Sequence, residues 1–202
     1  DELDPKTAAL IAWLRSSGAE GLDDLVIRPD GTSGGLGVFA KRNFKAGDRI
    51  ASLPQSCVLS ARAAEESELG KAVRAAAAAM GPTCESLCTE EIVLWVFLAV
   101  GRVDAAHPWH AYLAALPGLS PEPTCWPAAL RQELAATPVG KSVGAALEAV
   151  RAAFDGLVGR LQRKLPELIP EDALSLETLL WARGMLRSRS RWKRPPRTAP
   201  RL

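Results

Sequence analysis

This sequence lacks long apolar runs and is poor in cysteine. Its longest continuous apolar stretch, residues 92–101, is half of the roughly 20 residues that a helix needs to cross a bilayer, so we predict no membrane partner. Four cysteines in 202 residues are too few for a disulfide scaffold and favour a reducing compartment. No signal peptide is visible. We therefore expect an intracellular protein, cytoplasmic or nuclear, and the sequence leaves an organelle such as the chloroplast open.

A strong excess of charge of one sign is also missing. The formal net charge is +2, with 48% hydrophobic and 24% charged residues, which is typical of a globular chain with a buried core. This balance argues against nucleic acid as a partner. The exception is the basic, proline-rich segment 190–202, which we interpret as a disordered tail. Contact of this tail with nucleic acid or with acidic partners is the alternative.

The first 60 residues combine one helix with strand-like segments. Residues 5–18 have apolar side chains at helical spacing and end at Gly18, where a C-cap glycine belongs. The strand-like pieces, separated by turn-forming residues, are 25–27, 37–44 and 49–60. We predict an N-terminal helix within 1–24 and a small antiparallel β unit over 25–60.

From residue 61 onward the pattern is helical. Ser60 can cap an alanine-rich helix over 61–81, and Thr89 opens a segment that is apolar nearly all round and therefore predicted to be buried. Shorter helical patterns follow before Ser175 starts a last helix. The predicted fold class is α+β, in which the β unit precedes a predominantly helical region over 61–189.

Three glycines, Gly34, Gly35 and Gly37, crowd into one bend ahead of a basic strand. Closely spaced glycines let a backbone approach another group. A P-loop would need a glycine before its lysine and a helix after it, and a dinucleotide-binding fingerprint would also open a helix. Strand-like residues follow here instead. On the residues alone, we interpret the bend as a bulge or tight turn of a small sheet.

Three sequence blocks, in the same order, resemble a SET domain. Residues 35–54 are similar to its opening: a glycine pair, a strand, a lysine-alanine-glycine turn and a strand ending in proline. Residues 107–117 resemble the tryptophan-x-x-tyrosine-leucine block, and residues 178–189 resemble the helix that ends in a serine-arginine pair. The resemblance is to the branch that contains the RuBisCO large-subunit and actin-histidine methyltransferases. It implies that 25–60 is the N-terminal part of a SET domain and 61–189 its helical insert.

The resemblance implies an S-adenosylmethionine site formed by the glycine bend and the end of the last helix. The residues implied to line it are Gly34, Gly35, Leu36, Gly37, Phe39, Ser188 and Arg189. Many relatives carry an acidic residue where this chain has Gly34. A guanidinium at Arg189 suits the carboxylate of the donor, because it can bind two oxygens at once. On the residues alone, a solvated helix end is the alternative for Arg189.

The catalytic elements that the family carries after the serine-arginine pair are not in this sequence. They are an asparagine-histidine motif and a tyrosine that orients the accepting nitrogen, whereas this chain has a single Asn, Asn43, and a single Tyr, Tyr112. We therefore assign no catalytic residue and expect a truncated product that is inactive alone and binds S-adenosylmethionine weakly or not at all. The resemblance implies a lysine-bearing protein as substrate, with histidine left open. The rival hypothesis is a non-enzymatic helical module that docks a partner.

Four side chains have spacings that a zinc site could use: Cys84, Cys88, His107 and His110. Bulky residues fill the gap between the two histidines, and the surrounding residues indicate a buried helix. We therefore interpret the cysteines as structural thiols and the histidines as ordinary side chains, and we predict no metal site.

Overall fold

The computed structural model describes residues 4–31 and 35–190, and its strands form a small two-stranded sheet. Strand β1 (Leu25–Pro29) pairs antiparallel with β2 (Leu36–Ala40). A small sheet beside many helices confirms the predicted α+β class. Gly34 and the predicted tail beyond Ser190 lie outside the described residues.

The helices of the described part account for most of its residues. They are α1 (Pro5–Ser16), α2 (Ala61–Glu66), α3 (Glu68–Ala79), α4 (Pro82–Leu87), α5 (Glu90–Val103), α6 (His110–Ala115), α7 (Ala128–Leu134), α8 (Pro138–Ala153), α9 (Gly159–Lys164) and α10 (Leu176–Arg189). A π turn, Phe154–Val158, joins α8 to α9. Helices α2 to α10 form the helical region that the sequence predicted.

Local capping decides where several helices begin and end. Ser60, Thr89 and Ser175 each accept a hydrogen bond from the backbone N–H three residues on, at 3.0–3.3 Å. Each oxygen satisfies an amide that a helix start leaves without an intrahelical partner. Gly18 follows α1 with a φ of 90°, a backbone conformation that favours glycine. These four positions confirm the helix boundaries predicted there.

The strand predicted within residues 49–60 is wrong. Of these described residues only Ser52 pairs, with Glu20, through two backbone hydrogen bonds of 3.0 and 3.1 Å. A 3₁₀ turn at Gln55–Cys57 follows. A single paired residue does not make a strand. Pro54 cannot extend the pairing, because it has no N–H to donate to a neighbouring strand. The β unit of the described residues therefore has two strands rather than three.

The alanine-rich helix predicted over 61–81 is two helices, α2 and α3, which meet at Ser67. The Ser67 hydroxyl accepts a hydrogen bond from Gly70 N at 3.0 Å and so caps the start of α3. Gly70 permits the bend, because a Cβ there would lie 2.0 Å from the Ala64 carbonyl oxygen. The bend lets both helices pack on α5. Alanine content predicts helix but contains no signal for a change of axis.

Helix α5 lies at the centre of the helical region and is buried on nearly all sides, as predicted. Val96, Leu98 and Val100 are at most 2% exposed. Helices α2, α3, α6 and α10 pack around α5, so its apolar side chains meet neighbours in every direction. None of the helices that the structure describes combines the length and the apolar character that crossing a membrane requires.

His107 lies in the turn between α5 and α6, against the buried face of α5. Its ring meets Phe97 edge-on with centroids 4.5 Å apart, and its Nδ1 accepts a hydrogen bond from Trp109 N at 3.2 Å. A Cβ on Gly101 would lie 2.6 Å from that nitrogen, so glycine makes room for the ring. Burial lowers the pKa of His107 from its ordinary 6.5, against a smaller opposing effect of Asp104.

We expect His107 to make the fold sensitive to mild acid. The unfolded chain binds the proton more readily, so this contribution to stability is complete above pH 6.5 and is lost as pH falls below that value toward the lower folded pKa. His107→Gln should therefore flatten the decrease in the free energy of unfolding between about pH 7.5 and about pH 5.5. Urea titrations measure this, with the exposed Lys164→Gln as a surface control. Equal slopes for the wild type and His107→Gln would contradict the expectation.

Candidate functional site

Strand β2 is shaped by a ring that lies over it. Phe39 and Gly37 share one face of the strand, and a Cβ on Gly37 would lie 2.8 Å from Phe39 Cε2. Opposite Gly37, Arg28 of β1 places its guanidinium carbon 4.2 Å from the centroid of the Phe39 ring. Such a contact contributes about 0.5–1 kcal/mol at an exposed site. Gly37 is therefore explained by packing within the hairpin. Only the strand register brings Arg28 to Phe39, so the sequence pattern does not mark Arg28 as a neighbour.

The outer edge of β2 is open among the described residues. Asp30 N donates to Gly35 O at 2.7 Å, which makes this a hydrogen-bonded pair of the ladder. Alternation along an antiparallel ladder then turns the backbone groups of Leu36 and Val38 away from β1. The residues Leu36 and Val38 are 58% and 64% exposed. A ligand can therefore reach this segment without displacing a described strand.

The C-terminal end of α10 presents a guanidinium that pairs with no carboxylate of the described residues. Arg189 Nη1 donates to Ser188 Oγ at 2.8 Å and lies 3.2 Å from Met185 Sδ. Among the residues that the structure describes, no carboxylate lies within ion-pair distance of Arg189, whereas Arg187 pairs with Glu122. Since a guanidinium carries five N–H donors, Arg189 is held in place with donors still available for an anion.

Tyr112 lies near Arg189 and links two of the sequence blocks. Burial raises the pKa of the Tyr112 hydroxyl, and the positive charge of Arg189 partly opposes the rise. The Tyr112 ring meets the Trp109 ring edge-on, with centroids 6.2 Å apart. The centroid of the Trp109 ring lies 5.2 Å from that of Trp13 on α1. Helix α6 therefore packs against α1, and its Tyr112 is within electrostatic reach of Arg189. The tryptophan-x-x-tyrosine block and the serine-arginine pair form one neighbourhood, which no spacing in the sequence indicates.

The two halves of the predicted donor site make no direct contact in the described residues. No hydrogen bond, ion pair or ring contact there joins residues 35–39 to residues 188–189. The first half interacts within the hairpin, and the second half interacts with α10 and Tyr112. A bound donor would have to connect them. That Gly35, Leu36, Gly37, Phe39, Ser188 and Arg189 line one S-adenosylmethionine site therefore stays a prediction.

Cysteine and histidine side chains considered as zinc ligands are buried or form contacts with other residues of the protein. Cys84 is buried on α4, and its sulfur accepts a hydrogen bond from Arg160 Nη1 at 3.1 Å. Cys88 is buried too, and burial raises the pKa of its thiol. His110 Nδ1 lies 3.0 Å from a backbone carbonyl oxygen of α5. Within the described part of the chain, no three His, Cys, Asp or Glu side chains are grouped so as to hold a metal ion.

The sequence matches no family model and no curated protein, but its fold matches solved structures. The SET domain of LSMT bound to lysine and AdoHcy is similar with a TM-score of 0.71 and 22% identity over 94% of this chain. Rubisco LSMT bound to sinefungin and monomethyllysine gives 0.71 and 22% over 93%. Rubisco LSMT bound to AdoMet gives 0.69 and 22% over 92%. The chain spans 40–41% of the length of these structures.

This likeness shows the fold of the chain. The two-stranded sheet and the helical region are arranged as in part of the LSMT structures, with TM-scores of 0.69–0.71. The arrangement confirms the SET-type fold that the three sequence blocks indicated.

Proposed function

We propose that this chain forms the donor-binding front of an S-adenosylmethionine-dependent protein-lysine N-methyltransferase of the SET type. One observation carries the proposal: over 94% of its length the chain shares the fold, at a TM-score of 0.71, of a SET domain bound to lysine and AdoHcy. The sequence blocks support it independently, because they fall on β2, on α6 and on α10.

Arg189 is the residue that we assign to the carboxylate of the donor. Its guanidinium can bind two carboxylate oxygens at once, and the Ser188 hydroxyl holds it in position. Gly35, directly before β2, and the open backbone edge of β2 let the main chain approach the donor, and Leu36 and Phe39 offer apolar surface beside it. When bound, the donor supplies an electrophilic methyl group. The role of this chain is to bind the donor and to orient it for attack by an amine.

Methyl transfer requires groups that these 202 residues do not supply. The sequence contains no Asn-His pair, and its single Asn, Asn43, follows β2 in the first hairpin. Its single Tyr, Tyr112, is on α6, where burial and not a catalytic partner is the main influence on the pKa of its hydroxyl. We infer that the chain by itself binds the donor weakly and transfers no methyl group to lysine or to histidine.

A second candidate is a non-enzymatic helical module that docks a partner through residues 60–185. It is favoured by an open cavity between α5 and α10 that involves none of the predicted donor residues. Binding of a partner that survives deletion of residues 25–60 would support this second candidate.

Irradiation with tritium-labelled S-adenosylmethionine should label two separate segments, residues 35–39 and 188–189. We expect labelling at millimolar donor and no saturation in the micromolar range by calorimetry. Arg189→Ala should decrease the labelling about tenfold, because a hydrogen bond to a charged group contributes about 1.5–3 kcal/mol. Arg187→Ala, on the same helix, is the matched control and should retain it, because Arg187 pairs with Glu122.

Two outcomes would exclude the proposed donor site. One is label on neither segment at millimolar donor. The other is equal label on the wild type and on Arg189→Ala, which would mean that the guanidinium contributes nothing to donor binding.

A further inference from the structure

An open cavity of about 670 Å³ lies on the helical region, apart from the predicted donor residues. Its walls come from the C-terminal end of α5, the loop between α6 and α7, and the N-terminal end of α10. Ligand cavities commonly have volumes of about 300–1,000 Å³. The space therefore suits a small molecule or one or two side chains of a peptide.

The inner wall of the cavity is largely apolar. Val103, Leu176, Leu180 and Trp181 contribute most of its apolar side chains. Leu119, also in the lining, is 77% exposed and so offers apolar surface that no described residue covers. Burying apolar surface contributes about 25 cal/mol per Å² removed from water. An occupant with an apolar body is therefore favoured over a wholly polar one.

Two arginines, Arg102 and Arg131, are among the residues that line the same cavity. Arg102 stacks on the indole of Trp181 at 4.3 Å, and its Nη2 donates to Gly118 O at 3.4 Å. Arg131 Nη1 donates to the backbone carbonyl of Trp126. Among the described residues, neither arginine has a carboxylate within ion-pair distance. A guanidinium stacked by its face keeps its N–H edge free to bind a planar anion with two hydrogen bonds.

The charged residues that line the cavity carry a net positive charge. Glu177 is the acidic side chain of its lining, and it forms no ion pair with Arg102 or Arg131. Burial raises the pKa of the Cys125 thiol above its ordinary 9.0, so this thiol adds no negative charge at neutral pH. The N-terminal end of α10 adds a partial positive charge. The lining therefore contains two arginines and one carboxylate residue.

We propose that this cavity binds an apolar carboxylate: a ligand whose aromatic or branched body lies on the apolar wall and whose carboxylate pairs with Arg102 and Arg131. The carboxylate could belong to a free organic acid or to an acidic residue beside an apolar one in a peptide. The two sources share this chemistry, and the experiment separates them. The site is independent of the donor site, so either can fail alone.

Titrations followed by two-dimensional ¹H–¹⁵N NMR test the site on the whole chain. The first arm uses 3-phenylpropionate and indole-3-propionate, and the second uses the capped peptide acetyl-Leu-Phe-Asp-amide. We expect shifts of the backbone amides of Leu119 and Leu180. The neutral analogues, 3-phenylpropionamide and acetyl-Leu-Phe-Asn-amide, should bind at least about tenfold more weakly. Binding of the first set alone identifies a free acid, and binding of the peptide alone identifies a peptide ligand.

Variants assign the binding to the two arginines. Arg102→Gln and Arg131→Gln should each weaken carboxylate binding about tenfold, whereas the exposed Arg163→Gln on α9 should leave it unchanged. Thermal unfolding of each variant verifies that it folds. The proposal is overturned by binding in neither arm, by equal affinity for carboxylate and amide, or by an Arg102→Gln variant that folds and binds as the wild type does.

Discussion

Replacing Glu122 with Ala should destabilise the protein by about 3 kcal/mol, because it breaks a partly buried ion pair. The side chain of Glu122 is 18% exposed and that of Arg183 is 14% exposed. Glu122 Oε2 accepts hydrogen bonds from Arg183 Nη1 at 2.7 Å and from Thr124 Oγ1 at 3.0 Å, and Oε1 pairs with Arg187. Without the carboxylate, the Arg183 guanidinium remains largely desolvated and unpaired.

Urea unfolding at neutral pH measures this effect, with the exposed Glu133→Ala as the matched control. The control should change the free energy of unfolding by less than about 0.5 kcal/mol. The double variant Glu122→Ala, Arg183→Ala should regain part of the lost stability, because it leaves no unpaired charge. A loss below about 1 kcal/mol for Glu122→Ala would mean that solvent already screens the pair.

The ion pair between Glu122 and Arg183 also bears on the proposed donor site, because it anchors the helix that carries residues 188 and 189. Glu122 lies in the loop between α6 and α7, and its two arginine partners lie on the last half of α10. Residues 188 and 189 follow directly on that helix. Loss of the largely buried Glu122–Arg183 pair should therefore also decrease donor labelling at residues 188–189. Loss of the Glu122–Arg187 pair alone should not, because the side chain of Arg187 is 62% exposed.

Gly184→Val should destabilise the protein by about 3 kcal/mol, whereas Gly144→Val should change stability by less than about 0.5 kcal/mol. A Cβ on Gly184 would lie 2.1 Å from Ser120 Oγ and 2.7 Å from Ser120 Cβ, and Ser120 is only 6% exposed. The loop that contains Ser120 would have to move away from α10. A Cβ on Gly144 of α8 would meet no atom within 4 Å.

A second substitution on the loop checks the cause. Ser120→Gly removes the two atoms that lie closest to the new Cβ, and it also removes the hydrogen bond that Ser120 Oγ accepts from Glu122 N at 3.2 Å. In the Gly184→Val background it should restore at least half of the lost stability, measured as the midpoint of urea unfolding. No recovery would show that the damage arises within α10 rather than at its contact with the loop.

Helix starts are the part of this fold that could be predicted with most success. Ser60, Thr89 and Ser175 cap their helices through a backbone amide three residues away. The local sequence is enough to predict a contact over so short a distance. The burial of α5 followed from a run of apolar residues that leaves no polar face. The predicted strand over 49–60 failed, because strand pairing depends on a partner that the local sequence does not specify.

The candidate site was likewise predictable only in part from the sequence. A resemblance in three sequence blocks implied two donor-binding segments, and the shared fold supports that resemblance without joining them. The residues implied were Gly34, Gly35, Leu36, Gly37, Phe39, Ser188 and Arg189. The neighbours of these segments were not predictable. Arg28 reaches Phe39 through strand register, and the charge of Arg189 acts on Tyr112, which lies 77 residues earlier in the chain.

By itself, the sequence determined the helix caps, the buried central helix, the α+β class and the blocks that resemble a SET domain. Only the tertiary structure decided which distant side chains meet: Glu122 with Arg183, Arg102 with Trp181, and Ser120 with Gly184. The physical reason is the separation along the chain over which each interaction acts. Capping and hydrophobic periodicity act within a few residues, whereas ion pairing, ring stacking and close approach of backbones depend on how whole helices pack.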